Sequence, residues 1–244
     1  MPNCHSFYLA PESWTNPCIL CGQEARQLIR VLRLGPGACV RLFDGRGRWG
    51  IFQVHSASRD KAVLLPESVE SVPAPSARCI LAAGFSKALR RGWFLEKAAE
   101  LEASALWFWQ GEYSGAALPE QEKESWKDSL IAGAKQCGNP WLPELRMLRG
   151  GAKALAGRLP EMDRAFILYE GDTGGRLLTR QDLAEAGDIL LIVGPEGGFS
   201  RSEVQGLADA GALPVSLGPR VLRWETAAVL TLGIAWWARQ GLMA

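Results

Sequence analysis

The chain has 244 residues and a mass of 26.6 kDa, enough for two domains or one large α/β unit, and with 48% apolar and 22% charged residues it is neither disordered, collagenous nor of low complexity. Lys and Arg number 27 against 26 Asp and Glu, so the net charge of +1 carries little information by itself. The longest apolar stretch, Thr226 to Trp237, is too short to span a bilayer and is bounded by Glu225 and Arg239, so no membrane association is expected. The opening Met-Pro-Asn-Cys-His lacks the basic and apolar regions of a secretory signal, so a cytoplasmic protein with six cysteines as thiols is expected.

In chain order, Gly22 to Leu34 carries Leu28, Val31 and Leu32 at helical spacing. Ala38–Phe43 and Trp49–Val54 read as strands around the turn Asp44-Gly-Arg-Gly47, and Lys61–Leu65 reads as a further short strand. Residues 66–77 hold three prolines and no apolar period, the composition of a linker, which divides the chain into a small β-rich domain at 1–70 and a larger domain at 71–244. Beyond it, Cys79–Ala83, Ala105–Trp109, Leu145–Leu148, Ala165–Tyr169, Ile189–Val193 and Leu213–Leu217 are expected as strands. Arg91–Glu102, Gln121–Cys137, Arg201–Ala210 and Glu225–Arg239 are expected as helices. Alternation of this kind specifies an α/β domain with a mostly parallel sheet covered on both faces.

Two features carry chemistry. Between Arg26 and Lys61 stand eight basic residues against Asp44 and Asp60, a local excess of six positive charges and a candidate polyanion-facing surface, with an ordinary solvated rim as the alternative. The apolar strand Ile189–Val193 runs into Gly194-Pro-Glu-Gly-Gly-Phe-Ser200 and then Arg-Ser-Glu203, where Ser200 and Glu203 have capping-box spacing. Ligands of open α/β sheets sit at such strand ends, and glycines let backbone groups approach them. The loop matches neither dinucleotide nor P-loop fingerprints, which disfavours a pyrophosphate cradle. A second strand end, Leu213-Pro-Val-Ser-Leu-Gly-Pro-Arg-Val-Leu-Arg-Trp-Glu-Thr-Ala-Ala228, supplies another Gly loop ahead of the final helix. Cys4-His5 with Cys18-x-x-Cys21 offers four zinc-type ligands at poor spacing, so no metal is expected.

The pair Gly-Pro-Glu-Gly-Gly-Phe-Ser and Leu-Gly-Pro-Arg-Val-Leu-Arg-x-Glu-Thr-Ala resembles the C-terminal signature of the RsmE family, the 16S ribosomal RNA (uracil-N3) methyltransferases of the SPOUT class. Val31-Leu-Arg-Leu34 with Pro36-Gly37 and Leu42-Phe-Asp-Gly45 is similar to that family's PUA-like N-terminal domain. Lys97-Ala-Ala-Glu-Leu101 and Ala134-Lys-Gln-Cys-Gly138 are similar to two further stretches. The chain departs from the pattern at Arg26-Gln27, Glu102 (usually Gly), Asn139 and Trp224.

The resemblance implies an α/β SPOUT domain with a C-terminal trefoil knot behind a small PUA-like β-barrel. It implies a homodimer through the knot region, for which Ala227, Leu230, Ile234 and Trp237 offer an apolar face. S-adenosyl-L-methionine is the implied cofactor, held by Gly194, Pro195, Glu196, Gly197, Gly198, Leu217, Gly218, Leu222, Arg223, Glu225, Thr226 and Ala227. Arg223 first and Arg220 second are the groups expected to stabilise a uracil anion, with Glu196 or Glu225 as proton acceptor. Orienting the loop is the more ordinary role for Glu196, and capping the final helix the more ordinary one for Glu225. The implied partner is 16S ribosomal RNA or the small subunit, met by Arg26, Arg30, Arg33, Arg46, Lys87, Arg90 and Arg91, with Trp224 as a stacking surface. A catalytically silent RNA-binding assembly factor and a transfer-RNA methyltransferase remain as alternatives.

Overall fold

The computed structural model describes residues 4–87, 90–172, 174–184 and 187–240. It forms two compact units, residues 1–74 with Ile131–Leu142, and Pro75–Leu130 with Pro143–Ala244.

The first unit is a five-stranded sheet. Its strands are β1 (His5–Tyr8), β2 (Cys18–Cys21), β3 (Cys39–Phe43), β4 (Arg48–Ser58) and β5 (Lys61–Ser71), in the order β1-β3-β4-β5-β2. β1 runs parallel to β3 and the other pairings are antiparallel. Alternate residues Val40, Leu42, Phe52, Val54, Ala62 and Leu64 turn inward and meet Leu28 from the helical segment that begins with α1 (Gly22–Arg26) and widens into a π turn at Gln27–Val31. Ile131–Leu142 completes this unit. Lys135 Nζ donates to Glu24 at 2.7 Å and Gln27 at 2.8 Å, and the second Glu24 oxygen accepts the Tyr8 N–H. Trp141 lies so close to Gly47 that a Cβ there would stand 2.5 Å from its ring.

Two expectations are corrected here. The segment from Pro66 to Ser71 is no linker but the second half of β5, where Pro66 pairs with Phe52 at a register shift in which its missing N–H is tolerated. The cysteines are not all thiols: the parallel register sets His5 opposite Val40, so the preceding residues Cys4 and Cys39 are neighbours and form a disulfide. Cys4 is thereby unavailable as a metal ligand. Cys18, Cys21, Cys79 and Cys137 are thiols outside any disulfide, and burial pushes the Cys79 thiol up to about 11.

The second unit is a six-stranded, all-parallel sheet. Its strands are β6 (Cys79–Gly84), β7 (Ala105–Trp109), β8 (Glu144–Leu148), β9 (Arg164–Leu168), β10 (Ile189–Val193) and β11 (Leu213–Val215), in the order β11-β9-β10-β6-β7-β8. β6, β7 and β10 are buried along their whole length, as strands covered on both faces must be. The helices are α2 (Arg91–Glu100), α4 (Gly151–Ala156), α5 (Arg180–Ala184), α6 (Arg201–Asp209) and α7 (Trp224–Arg239), with the first half of α3 (Glu124–Cys137), whose residues from Ile131 on belong to the first unit. Chain topology returns from edge strand β11 to pack α7 on α2, α5, β6 and β10 through Ala228, Thr231, Leu232, Ala235 and Ala238. Apart from β5, which runs six residues beyond its expected end, the expected strand and helix bounds agree with the structure to within about four residues; the short β1, β2, α4 and α5, with little room for a periodic pattern, are not among the expected elements.

Helix α2 ends in a Schellman motif, with Ala103 N–H donating to Ala98 O and Glu102 N–H to Ala99 O. That geometry puts Glu102 at φ 55°, the left-handed region that disfavours a Cβ. Glu102→Gly is therefore expected to raise stability by about 0.5–1 kcal/mol, the relieved steric cost exceeding the added unfolded-state entropy, as read from urea midpoints at unchanged m.

Candidate cofactor cleft

Three adjacent strands, β11, β9 and β10, release loops at their carboxyl ends, and these loops enclose a cleft of about 520 Å³. Its walls are Leu168–Asp172, Gly175 and Leu177 after β9, Gly194–Glu196 and Gly198 after β10, and Ser216–Leu222 with Trp224 and Ala227 after β11.

Missing side chains make this loop packing possible. A Cβ on Gly84, the last residue of β6, would lie 2.2 Å from Pro195 N; one on Gly111 would lie 3.0 Å from the Pro195 ring; one on Gly194 would lie 2.9 Å from the Phe199 ring. Gly198 takes φ 77° and donates its N–H to Pro195 O, closing the turn. Phe199 anchors the loop from below, stacked on Trp109 at 5.7 Å, while Trp109 Nε1 donates to Val193 O. In the loop after β11, the Ser216 hydroxyl accepts the Gly218 N–H and donates to the Gly218 carbonyl, with Gly218 at φ 125°.

The capping box at the start of α6 is formed: Ser200 Oγ accepts the Glu203 N–H and Glu203 Oε2 accepts the Ser200 N–H. Glu203 does a second thing. Its Oε1 accepts the Glu112 N–H at 2.8 Å, tying the loop after β7 to the loop after β10.

Of the residues expected at the cofactor, Gly194, Pro195, Glu196, Gly198, Leu217, Gly218, Leu222 and Ala227 line the cleft, and so does Arg220. Gly197, Arg223, Glu225 and Thr226 lie outside its wall. A Cβ on Gly197 would meet Tyr113 at 2.7 Å, so that glycine makes room for the β7 loop and not for a ligand. Arg223 is the exposed N-cap of α7. Glu225 does not cap α7, which has no side-chain cap; its carboxylate instead faces Arg90 at 4.0 Å. The loop after β9 was missed, although an apolar strand running into Tyr-Glu-Gly-Asp172 repeats the cue read after β10.

Two residues expected at RNA are placed otherwise. Trp224 is 5% exposed and packs edge-on against Phe94 at 4.9 Å, so it has no face for a base. Arg91 is sandwiched between Phe85 at 4.3 Å and Trp126 at 5.0 Å, and its guanidinium donates to Ser86 O. Burial pulls its pKa down, and the charge of Glu196 opposes that shift. Arg26, Arg30, Arg33 and Arg46 are exposed on the first unit, and Lys87 and Arg90 on the second.

Glu203→Ala removes one arm of the capping box and the bond to Glu112 together. The expected cost is about 1–3 kcal/mol of stability, measured by denaturant unfolding, with Glu203→Gln recovering part of it.

Residues 73–236 match the family described as RNA methyltransferase domain, and residues 20–67 match the RNA methyltransferase PUA domain. Ribosomal RNA small subunit methyltransferase E of Mycobacterium bovis is 30% identical over 224 residues, 88% of this chain and 84% of that one. Its Bacillus subtilis counterpart is 25% identical over 223 residues, 87% of each chain. A Legionella pneumophila protein solved with the cofactor SAM superposes with a TM-score of 0.84 at 26% identity, over 97% of this chain and 98% of that one. The fold is shared with ribosomal RNA small subunit methyltransferase E of Neisseria gonorrhoeae, solved with S-adenosyl methionine, at a TM-score of 0.77 and 24% identity over 94% of this chain and 95% of that one. With its RNA methyltransferase PUA domain followed by an RNA methyltransferase domain, the chain belongs to the ribosomal RNA small subunit methyltransferase E family.

Proposed function

We propose that the protein methylates N3 of a uridine in small-subunit ribosomal RNA, with S-adenosyl-L-methionine as methyl donor. The observation that carries this reading is the cleft built from three strand-end loops in a chain of this family. Its volume, about 520 Å³, lies within the range of small-molecule sites, and its composition fits the cofactor. Apolar Leu168, Leu177, Val193 and Leu222 suit an adenosyl group, glycines at 194, 198 and 218 bring backbone donors and acceptors to it, and the Glu170, Asp172 and Glu196 carboxylates suit a sulfonium and an ammonium. When bound, the cofactor supplies an electrophilic methyl group.

The remaining chemistry belongs to the chain. Uracil N3 carries a proton at neutral pH, and that proton must leave as the N–C bond forms. Glu196, on the cleft wall and exposed, accepts it directly or through water. Arg220, also on the wall, stabilises the charge that develops on the uracil oxygens, with Arg223 three residues on as a phosphate or second oxyanion contact. Exposed Arg26, Arg30, Arg33 and Arg46, with Lys87 and Arg90, position the RNA through its phosphates.

The return of the chain from β11 to α7 supports the trefoil knot of the SPOUT class. Homodimerisation through α7 is supported by Leu230 at 41% and Trp237 at 58% exposure, apolar groups left uncovered by the single chain. An rRNA substrate fits a cytoplasmic location, and among the described residues no helix is long and apolar enough to cross a membrane.

The test is methyl transfer to small subunits isolated from a strain lacking the modification, read by reverse-transcription stops at N3-methyluridine; absence of transfer despite cofactor binding by calorimetry overturns the reading. Arg220→Ala is expected to reduce turnover about 100-fold or more with cofactor affinity changed less than threefold. Gly84→Ala, by displacing Pro195, is expected to weaken cofactor binding at least tenfold in the same titration. Trp237→Glu is expected to shift the sedimentation coefficient from dimer to monomer.

A further inference from the structure

We propose that Tyr113 is the aromatic surface on which the target base stacks, an assignment that rests on the methyl-transfer reading above and names the residue receiving its substrate. A uracil taken out of its helix to reach a cleft loses its neighbours and needs a flat apolar partner. With Trp224 buried, that partner has to be found elsewhere.

Among the described residues, four aromatic side chains are exposed by 37% or more: Trp93, Tyr113, Trp236 and Trp237. Trp236 and Trp237 belong to the last turn of α7, about 20 Å along the helix from the end that lines the cleft. Trp93 is in the first turn of α2, and no hydrogen bond, ion pair or ring contact among the described residues ties it to a cleft loop. Tyr113 is different. Its Cβ and carbonyl oxygen abut Gly197, 2.7 Å from where a Cβ would stand, and Gly197 lies between the cleft-lining residues Glu196 and Gly198.

The loop that carries Tyr113 is also built to hold still. Gly111 N–H donates to Ser114 Oγ and Ser114 N–H to Gly111 O, a tight turn with Tyr113 at its third position. Gln110 spans the loop, accepting the Leu118 N–H and donating to Ala116 O. Glu112 N–H is held by Glu203 from α6. A backbone so thoroughly tied presents a side chain that is 51% exposed and has no ring or cation partner among the described residues. Pre-positioned, unpartnered and set against the loop that carries the candidate proton acceptor Glu196, the ring has the properties of a stacking platform.

The experiment measures methyl transfer to small subunits lacking the modification for Tyr113→Ala, Tyr113→Leu, Tyr113→Phe and Tyr113→Trp in the full chain, with cofactor affinity by calorimetry on each. Stacking predicts that Ala and Leu lower kcat/KM for the subunit by about tenfold to a hundredfold, that Phe and Trp stay within threefold of wild type, and that cofactor affinity changes less than twofold throughout. Full activity of Tyr113→Ala, or recovery by Leu equal to that by Phe, overturns the assignment, the second outcome marking Tyr113 as mere packing. A wild-type protein that binds cofactor yet transfers nothing defeats the functional reading itself, and the stacking role with it.

Discussion

The cleft depends on a close approach of backbone to backbone. The loop after β10 lies on the ends of β6 and β7 at a distance that only glycine permits: a single methyl group on Gly84 would stand 2.2 Å from Pro195 N. Protein interiors respond to such overlaps by shifting neighbours, and here the neighbour is the turn from Gly194 to Gly198 that forms one wall of the site. Phe199 and Trp109 hold that wall from beneath, and Glu203 joins it to the loop after β7. The two buried strands thus act as a template that fixes where loop atoms can lie, and ligand-facing groups inherit their positions from it.

Much of this was legible in the sequence because the relevant signals are local. Uninterrupted apolar runs at Ala105–Trp109 and Ile189–Val193 mark strands covered on both faces, and Ser200 with Glu203 marks the start of α6. Two of the three cleft loops follow from glycines after such strands. The third, after β9, has the same form with weaker punctuation, and it passed unread. What periodicity does not carry is which side of a residue faces what. Gly197 lines up with its neighbours in sequence and yet turns toward Tyr113, and Trp224 sits beside an exposed arginine and yet is buried on Phe94. Long-range pairings were equally out of reach: the parallel match of β1 with β3, and so the Cys4–Cys39 bond, joins residues 35 positions apart.

Counting charges along the chain proved a coarser guide than their surroundings. Arg26, Arg30, Arg33 and Arg46 reach solvent, as a phosphate-facing surface requires. Arg41 lies over the Trp49 ring with its Nε buried, and Arg48 pairs with Asp44 and covers Trp14, so part of the apparent local excess is used within the fold. Arg91 belongs with them. Its guanidinium lies against the Phe85 and Trp126 rings, where burial lowers its pKa and the charge of Glu196 opposes that shift.

The membership of Ile131–Leu142 in the first unit has an evolutionary side. The polypeptide passes between the two units three times, at 74/75, 130/131 and 142/143, so the first unit is not a cassette that a single splice can move. Excising residues 1–74 would strip Gly47 from Trp141 and Glu24 from Lys135, leaving the Trp141 ring uncovered and the Lys135 ammonium without its counterion. Gene fusions that shuffle contiguous domains would find this one indivisible, and insertions or recombination points that spare the architecture must fall elsewhere.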